Sequence, residues 1–188
     1  MMLCYPCWIQ FQGRTLGLIW QSADGTEDTD ANEDTDRVLT DNGKIVSAST
    51  AEGLVVLAGH HGFGLESPFD DPQNLDGLDG LLELPVSDAT CAQLLNAWNL
   101  LGDIARSVDA TLDDRSPEAS KCYDKLFHGN NLECITPAGE HYSPYFSGAE
   151  RRLMAEILGR GRAILATHLQ DNPETENGQS HQDKPSDG

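Results

Sequence analysis

Short strand-like apolar segments punctuate the first 47 residues of this chain, at 8–12, 15–20, 37–40 and 44–47, and helical spacing dominates after Ser49. Strands that precede helices in sequence pair with one another through short turns, and the helices then cover the sheet. That order argues for an α+β domain rather than alternating βαβ units. Residues 8–12 and 15–20 read as two strands around Gly13-Arg14, where Gly at the first turn position suits a type II′ hairpin. Residues 37–40 and 44–47 flank Asn42-Gly43, a second hairpin signal. The expectation is a small N-terminal antiparallel sheet of two hairpins, packed by about five helices.

The helical patterns carry their own punctuation. Ser49-x-x-Glu52 has the form of a capping box, followed by Leu54, Val55, Leu57 and Ala58, with Gly62 as a stop. Phe63 to Leu65 reads as one more short strand. Asp71-Pro72 reads as N-cap and first residue of a short helix with Leu75, Leu78 and Leu82 inward; Gly77 and Gly80 weaken it. The strongest stripe runs over residues 89–108 after Asp88: Cys91, Leu94, Leu95, Trp98, Leu101, Ile104, Ala105 and Val108. Ser116-Pro117 opens a helix that Gly129 ends. Ser147-x-x-Glu150 caps a long last helix, with Glu156 and Arg160 spaced as an ion pair.

Residues 1–170 are expected to form one domain. The tract at about 22–36 has seven acids and no base, and the tail 171–188 has five acids, one Lys and no aliphatic side chain. Neither can bury enough apolar surface to order, so both read as disordered, and deleting 172–188 should leave the melting temperature unchanged. The net charge is −19, of which −8 remains once these two segments are set aside. From 45 to 105 there are nine acids and no Lys or Arg. Such a surface repels nucleic-acid phosphate and anionic lipid and attracts a basic protein. The first residues lack the basic, apolar signature of a secretory signal, and no apolar run could span a bilayer. Five cysteines without a dense framework read as reduced thiols in a cytoplasm.

Chemical signatures are few. Cys4-Tyr-Pro-Cys7 lacks the second pair that structural zinc needs, which leaves Cys4 and Cys7 as weak metal candidates. Asp28-x-Asp30-x-Asn32 opens like a calcium loop but has Glu33 where Gly is required and Leu39 where Glu is required. Gly159-Arg-Gly161 sits inside a helical pattern and is no phosphate loop. No G-x-S-x-G, P-loop or HExxH occurs. No cofactor is expected. His128 and His141, near Asp124 and Glu140, keep open a hydrolase built on a His–carboxylate pair.

The most unusual stretch is "YDKLFHGNNLECITPAGEHYSPYF", residues 123 to 146. It holds five of the twelve aromatic residues and two X-Pro bonds. Such a loop either straps the core, with Phe146 and Ile135 buried, or displays Tyr142 and Tyr145 to a partner. Asp70, Asp71, Asp76 and Asp79 complete the expected partner surface, and no base lies within helical reach of Asp76 or Asp79. In the base-free stretch 45 to 105 and the helix "CAQLLNAWNLLGDIARSV", the chain resembles, in general character, the small acidic immunity proteins of bacterial toxin systems. That resemblance implies a cytoplasmic, non-catalytic domain that binds a basic toxin or effector.

Overall fold

A computed structural model describes residues 2–23, 36–66 and 71–170. The two acidic segments read above as disordered, apart from their flanks, lie outside these residues. Among these residues the architecture is α+β, with five helices and an N-terminal sheet whose first three strands are antiparallel.

Strand β1 (Met2–Phe11) and strand β2 (Arg14–Ala23) form one long antiparallel hairpin in which Phe11 faces Arg14. The two turn residues are Gln12 and Gly13, with φ of 51° and 71°. Two positive φ values make this type I′, one residue earlier than the expected II′ turn at Gly13-Arg14. β1 also begins six residues earlier than its apolar alternation suggests. Pro6 is tolerated there because the neighbouring strand on that side pairs only with Ile9 and Gln10.

β3 (Arg37–Val38) pairs with β2. β4 (Thr40–Asp41) and β5 (Lys44–Ile45) form the second hairpin, with φ of 50° at Asn42 and 75° at Gly43. β6 (Gln73–Asn74) lies parallel to β1, giving the sheet order β3-β2-β1-β6. A helix was expected from Asp71-Pro72. The unpaired edge of β1 takes this segment instead, and Leu75 N–H donates to Gln10 C=O at 3.0 Å. Residues 63–65 form no strand, although Glu66 N–H bonds Cys4 C=O at 2.8 Å.

Helix α1 (Ala51–His60) is capped by Thr50, whose hydroxyl accepts from Gly53 N–H. The cap is thus one residue past the expected Ser49. Helix α2 (Leu78–Glu83) is short, and Leu75, Leu78 and Leu82 point inward as their spacing required. Helix α3 (Asp88–Ser107) takes Ser87 as its cap rather than Asp88, in a reciprocal box with Thr90. Helix α4 (Pro117–Gly129) follows Ser116, and helix α5 (Gly148–His168) follows the Ser147–Glu150 box.

The sheet separates two apolar clusters. Cys7, Ile9, Phe11, Leu16, Leu18 and Trp20 face α3 and α5 in the main core. Cys4, Trp8 and Ile19 face α1, with Leu39, Val46, Leu54 and Ala58. Alternate strand residues point to opposite faces, so this split follows from the pleat. α3 is the central element and touches α2, α4, α5 and the sheet. Among the described residues no helix is long and apolar enough to cross a membrane.

Candidate interaction surface

Two adjoining hollows form one groove where the sheet meets α3 and α4. The larger, about 520 Å³, lies between β2, α3, α4 and the segment before α4. The smaller, about 360 Å³, lies along the open edge of β1 beside α3. Trp20, Asn99 and Asp103 border both. The ridge between them is held by Trp20 Nε1–H donating to Asp103 Oδ2 at 2.8 Å. Asp103 is 7% exposed and also takes the Arg106 guanidinium on its other oxygen. A carboxylate this deep needs such partners to remain charged.

The walls are aromatic. Trp98 and Tyr123 meet edge to face at 5.8 Å between centroids, and Trp98 Nε1–H donates to Asp114 at 3.2 Å. Tyr123 Oη–H donates to Asn99 at 2.9 Å. Tyr5 and Trp20 pack at 5.7 Å on the β1 side. Trp20 and Trp98 therefore wall the groove, while the Trp8 ring packs on the opposite face of the sheet. Its charged lining is Asp36, Asp71, Asp103, Asp114 and Asp124 against one base, Arg106. No hydrogen bond or ion pair among the described residues engages Asp36, Asp71 or Asp124.

Of the expected partner residues, Asp71 is exposed and lines the smaller hollow. Asp70 lies outside the described residues. Asp76 and Asp79 are employed within the fold, contrary to the reading that left them without partners. Asp76 accepts the N–H groups of Gln12 and Gly13 at 2.8 and 2.9 Å and so caps the β1–β2 turn. Asp79 takes a two-pronged contact from Arg162 on α5, at 3.0 and 2.9 Å. Sequence spacing could show neither contact, since the partners are more than 60 residues away. Glu156 was expected to hold Arg160; Arg160 pairs with Asp113 instead, at 3.0 Å.

The 130–146 loop is both a strap and a display. Phe146 is buried at 4%, with Lys125 Nζ 5.6 Å from its ring centroid. Pro144 packs on Gly129, where a Cβ would come within 2.7 Å of it. The Asn131 side chain clamps both the N–H and the C=O of Tyr142, at 2.8 and 3.0 Å. Tyr142 and Tyr145 stay 43% and 79% exposed. Ile135, expected inside, is 42% exposed because residues 132–135 turn away from the core.

His141 Nε2 lies 3.0 Å from Asp88 Oδ1, and its Nδ1 lies 3.3 Å from Ser143 Oγ. Ser143 precedes Pro144, so the amide N–H that follows many nucleophiles and stabilises an oxyanion is missing. His128 stacks on Tyr142, edge to face at 6.3 Å. Cys4 and Cys7 point to opposite faces of β1 and cannot share an ion. Among the described residues no group of three His, Cys, Asp or Glu could hold a metal. Burial pushes the Cys91 and Cys122 thiols up, which removes them as nucleophiles at neutral pH. No protein-family model matches the chain, and no curated protein or solved structure matches it significantly.

The groove was not foreseen. Its residues come from 5–8, 20, 36, 71–73, 96–106, 114 and 120–124. The available signal was Trp20 and Trp98 in an acid-rich chain, each a large amphipathic side chain with one donor that needs an acceptor.

Proposed function

We propose that this chain is a non-catalytic protein-binding module of the immunity type, which neutralises a basic toxin or effector in a bacterial cytoplasm. The observation that carries the reading is the groove, two adjoining hollows with aromatic side chains in their walls, lined together by five carboxylates and one guanidinium. Tyrosine and tryptophan supply large contact area at small entropic cost, and carboxylates in surplus select a basic surface. The exposed Tyr142 and Tyr145 offer a second contact from a loop already ordered by Asn131. Ordering before binding reduces the entropy lost on association. The same charge disfavours nucleic acid and anionic membrane.

The test is association kinetics with a basic protein captured by the immobilised chain. The rate should fall steeply with salt and fall again when Asp36, Asp71 and Asp124 become Asn. A rate indifferent to both would leave the acidity as a solubility device only.

A hydrolase reading rests on the Asp88–His141–Ser143 alignment. It requires ester hydrolysis that His141→Asn and Ser143→Ala both abolish. Turnover of p-nitrophenyl acetate unchanged by either substitution would remove it.

A further inference from the structure

We infer that the groove takes an arginine side chain from the basic partner, with the guanidinium seated in the larger hollow against Trp20 and held by Asp36 and Asp124. The inference rests on the basic-partner reading and adds the chemistry of the anchor.

The chain already recognises one guanidinium in this place. Arg106 reaches Asp103, whose second oxygen is fixed by the Trp20 indole at 2.8 Å. A half-buried Trp, a carboxylate and a guanidinium are thus assembled on the ridge of the groove. A planar, weakly hydrated cation suits such a site, because it stacks on an aromatic face while its edge donates to carboxylates in the plane. An ammonium is compact and strongly hydrated, and it cannot do both at once.

The remaining capacity of the hollow is for a second cation. Asp103 is engaged by Arg106 and by the Trp20 indole, and Asp114 is tied to Trp98 Nε1–H at 3.2 Å. Asp36 and Asp124 border the same hollow and are engaged by no other described residue. The hollow is about 520 Å³, ample for a guanidinium and its stem. Its other lining groups are Asn99, whose carbonyl oxygen is taken by Tyr123, and Ser120, so no Lys competes for the carboxylates. The smaller hollow, with Asp71 and the Tyr5 ring, continues the groove and would receive the neighbouring residues of the same segment.

The experiment uses the full chain and two synthetic peptides of equal length and charge, one alternating Gly and Arg, the other Gly and Lys. Each is titrated at low salt while the indole N–H signals of Trp8, Trp20 and Trp98 are followed by nuclear magnetic resonance. The arginine peptide should bind roughly fivefold or more tightly than the lysine peptide, the size of one exposed cation–π contact with its in-plane bonds. It should shift Trp20 and Trp98, and Asp36→Asn with Asp124→Asn should weaken it about tenfold without changing the free protein's spectrum. Equal binding of both peptides, both weakened by the double substitution, would overturn the guanidinium inference and leave the basic-partner reading intact. Shifts confined to other residues, or no binding by either peptide, would also overturn it. In that case a captured basic partner whose association ignores Asp36 and Asp124 would fail the wider reading separately.

Discussion

Trp98 sits at 2% exposure in the middle of α3, and its ring edge meets Tyr123 while its N–H meets Asp114. Trp98→Ala should destabilise the domain by about 3–5 kcal/mol, read from chemical denaturation. A loss below about 0.5 kcal/mol would mean that the ring contributes no packing. Glu150 is the other residue with a measurable signature. Its carboxylate is bonded first to Lys125 Nζ at 2.6 Å and then to the N–H and hydroxyl of Ser147, which holds its pKa down at about 2 from 4.5. A depressed carboxylate contributes stability that is complete above the unfolded value and is lost as pH falls. Glu150→Gln should therefore be less stable than the parent above pH 4.5. The gap should close between pH 4.5 and about 2, checked by thermal melts across that range.

At the scale of elements, α3 packs closely against α5. A Cβ added at Gly161 would lie 2.7 Å from Leu101 Cβ, whereas one at Gly159 would meet nothing within 4 Å. Both glycines sit inside α5, where Ala is the better helix former by about 1 kcal/mol. Gly159→Ala should raise stability by up to about 1 kcal/mol. Gly161→Ala should lower it by about 1–3 kcal/mol, because overpacking a helix joint outweighs propensity. Opposite signs at two positions of one helix would separate packing from propensity; the same sign at both would show that the helices move apart freely. The loop between α4 and α5 obeys similar logic. Its ends are packed, its middle is exposed, and its backbone is held by Asn131.

At the scale of the molecule, the acids divide into those that hold the fold and those that do not. Asp76 caps the β1–β2 turn and Asp79 joins α2 to Arg162. Asp76→Ala should cost about 1 kcal/mol, and Asp79→Asn about half of that for an exposed pair. Asp36, Asp71 and Asp124 carry no such duty among the described residues. Changing all three to Asn should leave the melting temperature unchanged or raise it, since like charges on one face repel. A clear fall in calorimetry would mean that these acids are structural, and the groove would lose its claim as a binding surface.

The α+β class, the capping box of α5, the stripe of α3 and the Asn42-Gly43 hairpin were legible in the sequence because each depends on neighbours within a few residues. Propensity, capping and periodicity are local properties, and they act before the chain closes on itself. The same locality explains the misreadings. Gln73–Asn74 became a strand because β1 had an open edge, and Gly13 turned one residue early because both φ values had to be positive. The chain between 45 and 105 has no base of its own, yet folding brings Arg162 to Asp79 and the Arg151 guanidinium to Leu82 C=O. The groove belongs to this second category. Its tryptophans and carboxylates lie up to about a hundred residues apart, so no window of sequence contains it. Sequence by itself determined the class of fold and the surplus of negative charge. Only the tertiary structure decided which acids are tied down and which face a shared hollow, because charge pairing and concavity depend on distances in space that the order of residues does not contain.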